Sequence, residues 1–179
     1  MSNFFKETDI DTSQAEAIVT ETLKNCDDGE LYLENHKSES IVLDDNKIKS
    51  STYNSDQGYG FRAVTGEVVA YSHSNDISKE SLRKSSENLK DTLKSKKGTY
   101  NHEIPKTNSK YYENINPIES KTFDSKIDLL NNVNNYLRSK GSIVNQVTAN
   151  FLGEHKSIEI IRSDNQVLKD DRPLVRFNV

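Results

Sequence analysis

Between Gly29 and Tyr71 the apolar residues change their spacing, and that change restricts the fold more than any other feature of the chain. Before Gly29, Ala15, Ile18, Val19, Thr22 and Leu23 recur at three- and four-residue steps, the period of one helical face. After it, Leu31 and Leu33 alternate with polar neighbours, followed by Ile41-Val42-Leu43, Ile48, Phe61, Val64 and Val68-Val69. A period of two belongs to strands, whose successive side chains point to opposite faces. Turn chemistry at Asp44-Asp45-Asn46, Asp56-Gln57-Gly58 and Thr65-Gly66-Glu67 divides this stretch into short pieces. Short strands joined by tight turns make an antiparallel meander.

Helices flank the strands. The first begins after Asp11, with Gln14 as capping-box partner, and Gly29 closes its segment. A second starts near Asp76 or Ser78, carries Leu82, Leu89 and Leu93 on one side, and stops at Lys96-Lys97-Gly98. A third follows Asp124, with Ile127, Leu130, Val133 and Leu137 inward and Gly141 as its stop. Residues 99–123 contain Pro105 and Pro117 without periodicity and are expected to form a long surface loop. From Ile143 to Val179 the pattern returns to strands. The expected architecture is α+β, an antiparallel β-meander sheet with helices packed on one face, in a single domain over residues 1–179.

An internal similarity adds a further expectation. His36-Lys37-Ser38 recurs as His155-Lys156-Ser157, and the same offset of 119 aligns Leu33 with Leu152, Ile41 with Ile160 and Asp45-Asn46 with Asp164-Asn165. This suggests a duplicated helix-plus-hairpin unit. An odd difference in strand register would exchange inward and outward faces and make the similarity an accident.

Composition excludes several classes. A net charge of -4, with the lysines spread among acids, does not provide the clustered basic surface that phosphate binding needs. Cys26 is the only cysteine, so no intramolecular disulfide can form. The opening MSNFFKETDID lacks a basic start followed by an apolar core, and no apolar run approaches the roughly 18 residues of a membrane span. A cytoplasmic protein, binding neither nucleic acid nor membrane, is expected.

Four motifs invite a chemical reading. Gly58-Tyr59-Gly60-Phe61-Arg62-Ala63 fits the dinucleotide pattern G-x-G-x-x-A, but a helix must begin inside that motif, and Val64-Thr65-Gly66-Glu67-Val68-Val69 are strand and turn formers. Glycines two apart on one strand face instead allow close packing. His102-Glu103 begins like a helical zinc motif, yet the required second histidine is Lys106, and Pro105 excludes the helix. His36, His73 and His155 lack a second ligand at metal spacing. Cys26 precedes two acids, which raise a thiol pKa by repulsion, and the carboxylates of Asp27-Asp28 and Asp44-Asp45 are expected to point apart. No catalytic constellation is complete within the chain, and neither a metal nor a cofactor is expected on it.

The stretch ESIVLDDNKIKSSTYNSDQGYGFRAVTG, from Glu39 to Gly66, closely resembles the TldD branch of the TldD/PmbA family. It supplies Tyr53, Asp56, Gln57, Gly58, Gly60, Arg62, Ala63 and Gly66 of the family's pattern, and Asp171-Arg172-Pro173-Leu174-Val175-Arg176 resembles its R-P-L-V-R strand. The resemblance implies metal-dependent peptide cleavage in the cytoplasm, with named links to peptide-antibiotic processing, antitoxin degradation and DNA gyrase modulation. It also implies that zinc is held by a carboxy-terminal domain that nothing in this chain matches. The chain then resembles the non-catalytic domain that shapes the substrate chamber and the subunit contacts. Its implied partners are a PmbA-type subunit or the missing carboxy-terminal half, and a peptide substrate. The alternatives are a stand-alone peptide-binding or interaction module, or the remnant of a shortened or split gene.

The residues expected to meet substrate or partner are Asp56, Gln57, Gly58, Gly60 and Arg62, since arginine beside glycines on a strand suits carboxylate or carbonyl recognition. The structural alternative makes Asp56-Gln57-Gly58 a tight turn and Arg62 a neighbour's salt-bridge partner. Finally, the last residues still alternate, with Leu174 and Arg176 on one face and Val175, Phe177 and Val179 on the other. They are expected to pair with a partner subunit, a missing half or a second copy in a homo-oligomer.

Overall fold

A computed structural model describes residues 4–6, 8–94, 98, 113–162 and 166–179. Its elements are α1 (Thr12–Leu23), β1 (Asp28–Asp44), β2 (Lys47–Thr65), β3 (Val68–Ser74), α2 (Lys79–Leu93), α3 (Phe123–Arg138), β4 (Thr148–Arg162) and β5 (Val167–Asn178). The α+β expectation holds: the strands form one antiparallel sheet in the order β3-β2-β1-β4-β5, accompanied by three helices. Residue contacts gather into two compact units, one of Met1–Asn35, Asp56–Tyr111 and Ser157–Asp170, the other of His36–Ser55, Tyr112–Lys156 and Asp171–Val179.

In the first unit, α1 starts as the sequence indicates. The Asp11 side chain accepts from the Gln14 backbone N–H, and the Gln14 side chain accepts from the Asp11 N–H, which satisfies two otherwise orphaned donors. Ala15, Val19, Thr22 and Leu23 are buried, with Ile18 at the margin. Helix α2 is capped by Ser78 and buries Leu82, Leu89 and Leu93, and also Ser85 and Ser86. Those two serines make specific bonds rather than apolar contacts. Ser86 pairs with Thr22 at 2.6 Å, and Ser85 meets both Tyr59 Oη at 2.8 Å and Ser72 at 2.9 Å. Around them Phe4, Phe5, Leu31, Leu33, Phe61, Ala63, Ile77 and Ile161 complete one core.

In the second unit, Ile41, Leu43, Ala149 and Phe151 pack with Leu130 of α3. This helix begins one residue before Asp124, because Thr122 is the cap and accepts from the Ser125 N–H. Its buried stripe is Lys126, Leu130 and Asn134, while Ile127, Val133 and Leu137 are half-buried. Leu130 is common to the expected and observed faces, and around it two polar side chains that find partners are buried more deeply than the apolar residues beside them. Gly141, two residues past the Ser139 cap, has φ +132°, a conformation that glycine adopts readily and other residues rarely do.

Several expectations are corrected. The meander is not built of short strands: β1 has 17 residues and β2 has 19. Asp44-Asp45-Asn46 is a turn, with φ of 49° at Asp45 and 66° at Asn46, the left-handed pair of a two-residue hairpin. Gly66, at φ 59°, turns β2 into β3. Asp56-Gln57-Gly58, by contrast, lies inside the continuous β2. Gly29 does not end α1 but belongs to β1, where an added Cβ would stand 2.5 Å from Leu23 Cδ2 and 2.6 Å from the Arg62 carbonyl oxygen. Helix α2 ends at Leu93, before Gly98, and Lys96-Lys97 lie outside the described residues. Most of the expected 99–123 loop also lies outside them; the part that is described buries Ile118.

The internal similarity fails its own test. Leu31, Leu33, Ile41 and Leu43 are buried in β1, whereas the offset of 119 places them on Asn150, Leu152, Ile160 and Arg162, all half-buried. A shift of one more residue brings Leu31 onto Phe151 and Ile41 onto Ile161. The matching letters and the matching faces therefore belong to different alignments, and the letters match by chance.

Candidate functional site

Strand β2 sorts its residues by alternation: Tyr59, Phe61, Ala63 and Thr65 are buried, while Asp56, Gly58, Gly60 and Arg62 share the other side. Arg62 is the centre of a charge network in the first unit. Its Nε donates to Glu30 Oε1 at 2.7 Å, and its Nη2 donates to Glu30 Oε2 at 2.8 Å and Asp28 Oδ2 at 2.6 Å. Arg162, near the end of β4, donates from Nη2 to the other oxygen of Asp28 at 2.6 Å. Strand β1 lies between β2 and β4, so Asp28 and Glu30, two residues apart, meet an arginine from each side.

The fork of Arg62 closes on Glu30 in the bidentate geometry that guanidinium and carboxylate share. Burial pushes the Asp28 carboxyl up, but the Arg62 hydrogen bond and the Arg162 and Arg62 charges outweigh it and hold the group below its ordinary value. The bond to Glu30 raises Arg62 further above its already high value. Asp28 and Arg62 are thus held in their charged forms at neutral pH.

The other expected site residues divide. A Cβ at Gly58 would lie 2.8 Å from the Ser74 carbonyl oxygen, and one at Gly60 would lie 2.6 Å from Tyr71 Oη. Both glycines therefore permit close approach of β3, and Tyr71, which stacks on His73 at 5.8 Å between centroids, lies against Gly60. Asp56 and Gln57 are exposed and take no part in the Arg62 network. The structure does not bring the five together as one cluster. Sequence reading missed Asp28, Glu30 and Arg162. The available signal was an acid at alternate positions of the strand that neighbours Arg62.

The second unit has its own buried charge. Lys126 donates to Glu39 and, at 2.7 Å, to the Ile118 carbonyl, with its ammonium 5.7 Å from the centre of the Phe151 ring. Nearby, Pro117, Lys121, Lys126, Leu129, Phe151 and Val175 line a cavity of about 410 Å³.

Among the described residues no three of His, Cys, Asp or Glu gather to hold a metal ion. His36 faces Glu154 at 3.5 Å, His155 bonds Asn114 at 2.9 Å, and His73 stacks on Tyr71. His102-Glu103 lies outside the described residues. The described donors thus do not fit a zinc site. The paired acids point apart as expected: Asp27 accepts from the Gly66 N–H while Asp28 faces the arginines, and Asp44 accepts from Gln146 and Thr148 while Asp45 pairs with Arg138. Cys26 is buried and its thiol is pushed up chiefly by that burial, with Asp27 adding repulsion against a hydrogen bond involving Thr65. No helix among the described residues is long and apolar enough to cross a membrane.

Comparison with known proteins agrees with this arrangement. Residues 29–94 match the family described as PmbA/TldA metallopeptidase domain 1, and residues 116–179 match the PmbA/TldA metallopeptidase central domain. A metalloprotease TldD homolog of Buchnera aphidicola subsp. Acyrthosiphon pisum (strain APS) is 33% identical over 157 residues, 87% of this chain and 32% of that protein. One from Haemophilus influenzae is 32% identical over 162 residues, 87% of this chain and 33% of that protein. The chain spans about a third of the length of these curated relatives. Among solved structures, a proposed modulator of a DNA gyrase from Thermotoga maritima superposes with a TM-score of 0.70 at 13% identity, over 84% of this chain and 34% of that one. TldE from Thermococcus kodakarensis gives 0.68 at 12% identity, over 92% and 38%. These structures establish likeness of fold, and the two family matches with the TldD relatives establish the lineage: the chain belongs to the PmbA/TldD metallopeptidase family.

Proposed function

We propose that this chain is a non-catalytic part of a TldD-type metallopeptidase, one that shapes the substrate chamber and the subunit contacts while other residues hold the zinc. The observation that carries this reading is the joint match to domain 1 and the central domain, in a chain about one third as long as its relatives. The partner is a PmbA-type subunit or a carboxy-terminal portion of the same enzyme, the substrate a peptide, and the compartment the cytoplasm.

The test replaces the residue corresponding to Arg62 with Lys in a full-length relative. Lysine keeps the charge but cannot form the fork to Glu30. Peptide turnover should fall, through displacement of the neighbouring Asp56 and Gln57, while circular dichroism shows the protein still folded at the assay temperature; loss of activity only in step with unfolding would assign Arg62 to structure alone. A purified sample of this chain binding stoichiometric zinc with pH-dependent affinity would overturn the non-catalytic reading.

One observation favours a second reading, a peptide-binding module in its own right. Strand β5 is at an edge of the sheet, and its Leu174, Val175 and Phe177 are exposed. An open edge accepts an added strand.

A further inference from the structure

We infer that the cavity beside β5 is a peptide anchor site. It would take an extended, acidic segment that adds to the edge of β5 and places one Leu- or Phe-sized side chain in the cavity. The assignment rests on the peptide-handling reading for its choice of occupant and on the geometry of the second unit for everything else.

Three observations carry it. The cavity, about 410 Å³, is within the usual range of binding sites, and Pro117, Leu129, Phe151 and Val175 give it apolar walls. Val175 belongs both to the wall and to the edge strand, so a segment laid along β5 passes the cavity mouth. A proline within an edge strand sits where its nitrogen faces away from the neighbouring strand. Pro173 therefore indicates, by alternation, that the N–H groups of Val175 and Phe177 also face outward from β4, where an added strand can accept from them.

Charge selects the occupant. In this unit Lys37, Lys49, Lys126 and Arg138 are each paired with an acid. Lys121, on the cavity wall, and Arg176, on the edge strand, have no ion pair among the described residues. Lys121 lies at the cavity, and Arg176, next to Val175, lies on the other face of β5, where the neighbours of an anchored side chain would point; both favour acidic residues beside the apolar one and disfavour a basic segment.

The test uses the 179-residue chain and short fluorescent peptides, acetylated and amidated so that no terminal charge contributes. One carries a single Leu between Glu residues, a second replaces Leu with Ala, and a third replaces Glu with Lys. Anisotropy should show binding of the first and at least about tenfold weaker binding of the second, as expected when a buried Leu side chain is lost. The third should also bind more weakly. Leu129→Trp fills the cavity from a half-exposed helix position and should weaken the first peptide about tenfold with an unchanged circular dichroism spectrum. Equal affinity for Leu and Ala peptides, or a Leu129→Trp chain that binds as before, overturns the site. If binding instead responds to Arg62→Lys and not to Leu129→Trp, peptide handling stands and the cavity assignment falls.

Discussion

Replacing Lys126 with Met measures the value of the buried ion pair in the second unit. The Lys126 side chain is 4% exposed and that of Glu39 is 10% exposed, so neither is rescued by water when its partner goes. The substitution strands the Glu39 carboxylate and also removes the donor to the Ile118 carbonyl. Breaking one side of a buried pair costs about 3–5 kcal/mol, a large share of the roughly 5–15 kcal/mol that stabilises a domain. Lys126→Met combined with Glu39→Leu removes both charges and leaves only the Ile118 carbonyl short of a donor, a loss of about 1–3 kcal/mol. The double variant should therefore be more stable than the single one. Urea titrations followed by circular dichroism, with the slope held common, read both differences from the midpoints. The reasoning is refuted if Lys126→Met costs less than about 1 kcal/mol, or if adding Glu39→Leu lowers stability further.

Three more outcomes are expected. Because the folded Asp28 carboxyl is held below its ordinary value, it adds stability at pH above about 4 that is lost as pH falls through the folded value; Asp28→Asn should flatten that acid limb in thermal melts, and an unchanged limb would contradict it. Gly29→Ala drives a methyl against Leu23 and the Arg62 backbone and should cost about 1–3 kcal/mol, whereas Gly60→Ala meets the exposed end of Tyr71, which can swing aside, so its midpoint should shift much less. Cys26, buried and with its thiol pushed up, should resist Ellman's reagent in native buffer at pH 8 and react once urea unfolds the chain; rapid labelling of the native protein would show the burial to be wrong.

What could be read from the sequence were the features decided within a few residues. The Asp11–Gln14 box, the Asp45-Asn46 turn, the Gly66 turn and the leucine stripe of α2 depend on local hydrogen bonds and on one periodicity. What escaped was decided across the sheet. A stripe read from apolar residues alone does not include Lys126 and Asn134, yet Glu39 and Asn46 supply partners that bury them, from β1 and the β1–β2 turn. Asp28 and Glu30 are ordinary acids until Arg162, 134 residues after Asp28, arrives on β4. Such pairings follow from strand order, which no local pattern states.

The same distinction separates the two demands that the segment from Asp56 to Arg62 must meet. Read as letters, Asp56-Gln57-Gly58 has turn chemistry; as built, the backbone stays extended and no positive φ occurs there. Gly58 and Gly60 are then used for the absence of a side chain, admitting the Ser74 backbone and the Tyr71 ring, and Arg62 is held by two carboxylates of the neighbouring β1. A guanidinium with three of its five N–H donors held by acids is fixed in place and its charge is already matched. Asp56 and Gln57 carry no such commitment and stand exposed beside that fixed frame. If this segment contacts a peptide or a partner subunit, the physical division of labour makes Gly58, Gly60 and Arg62 the frame and Asp56 and Gln57 the contacting pair.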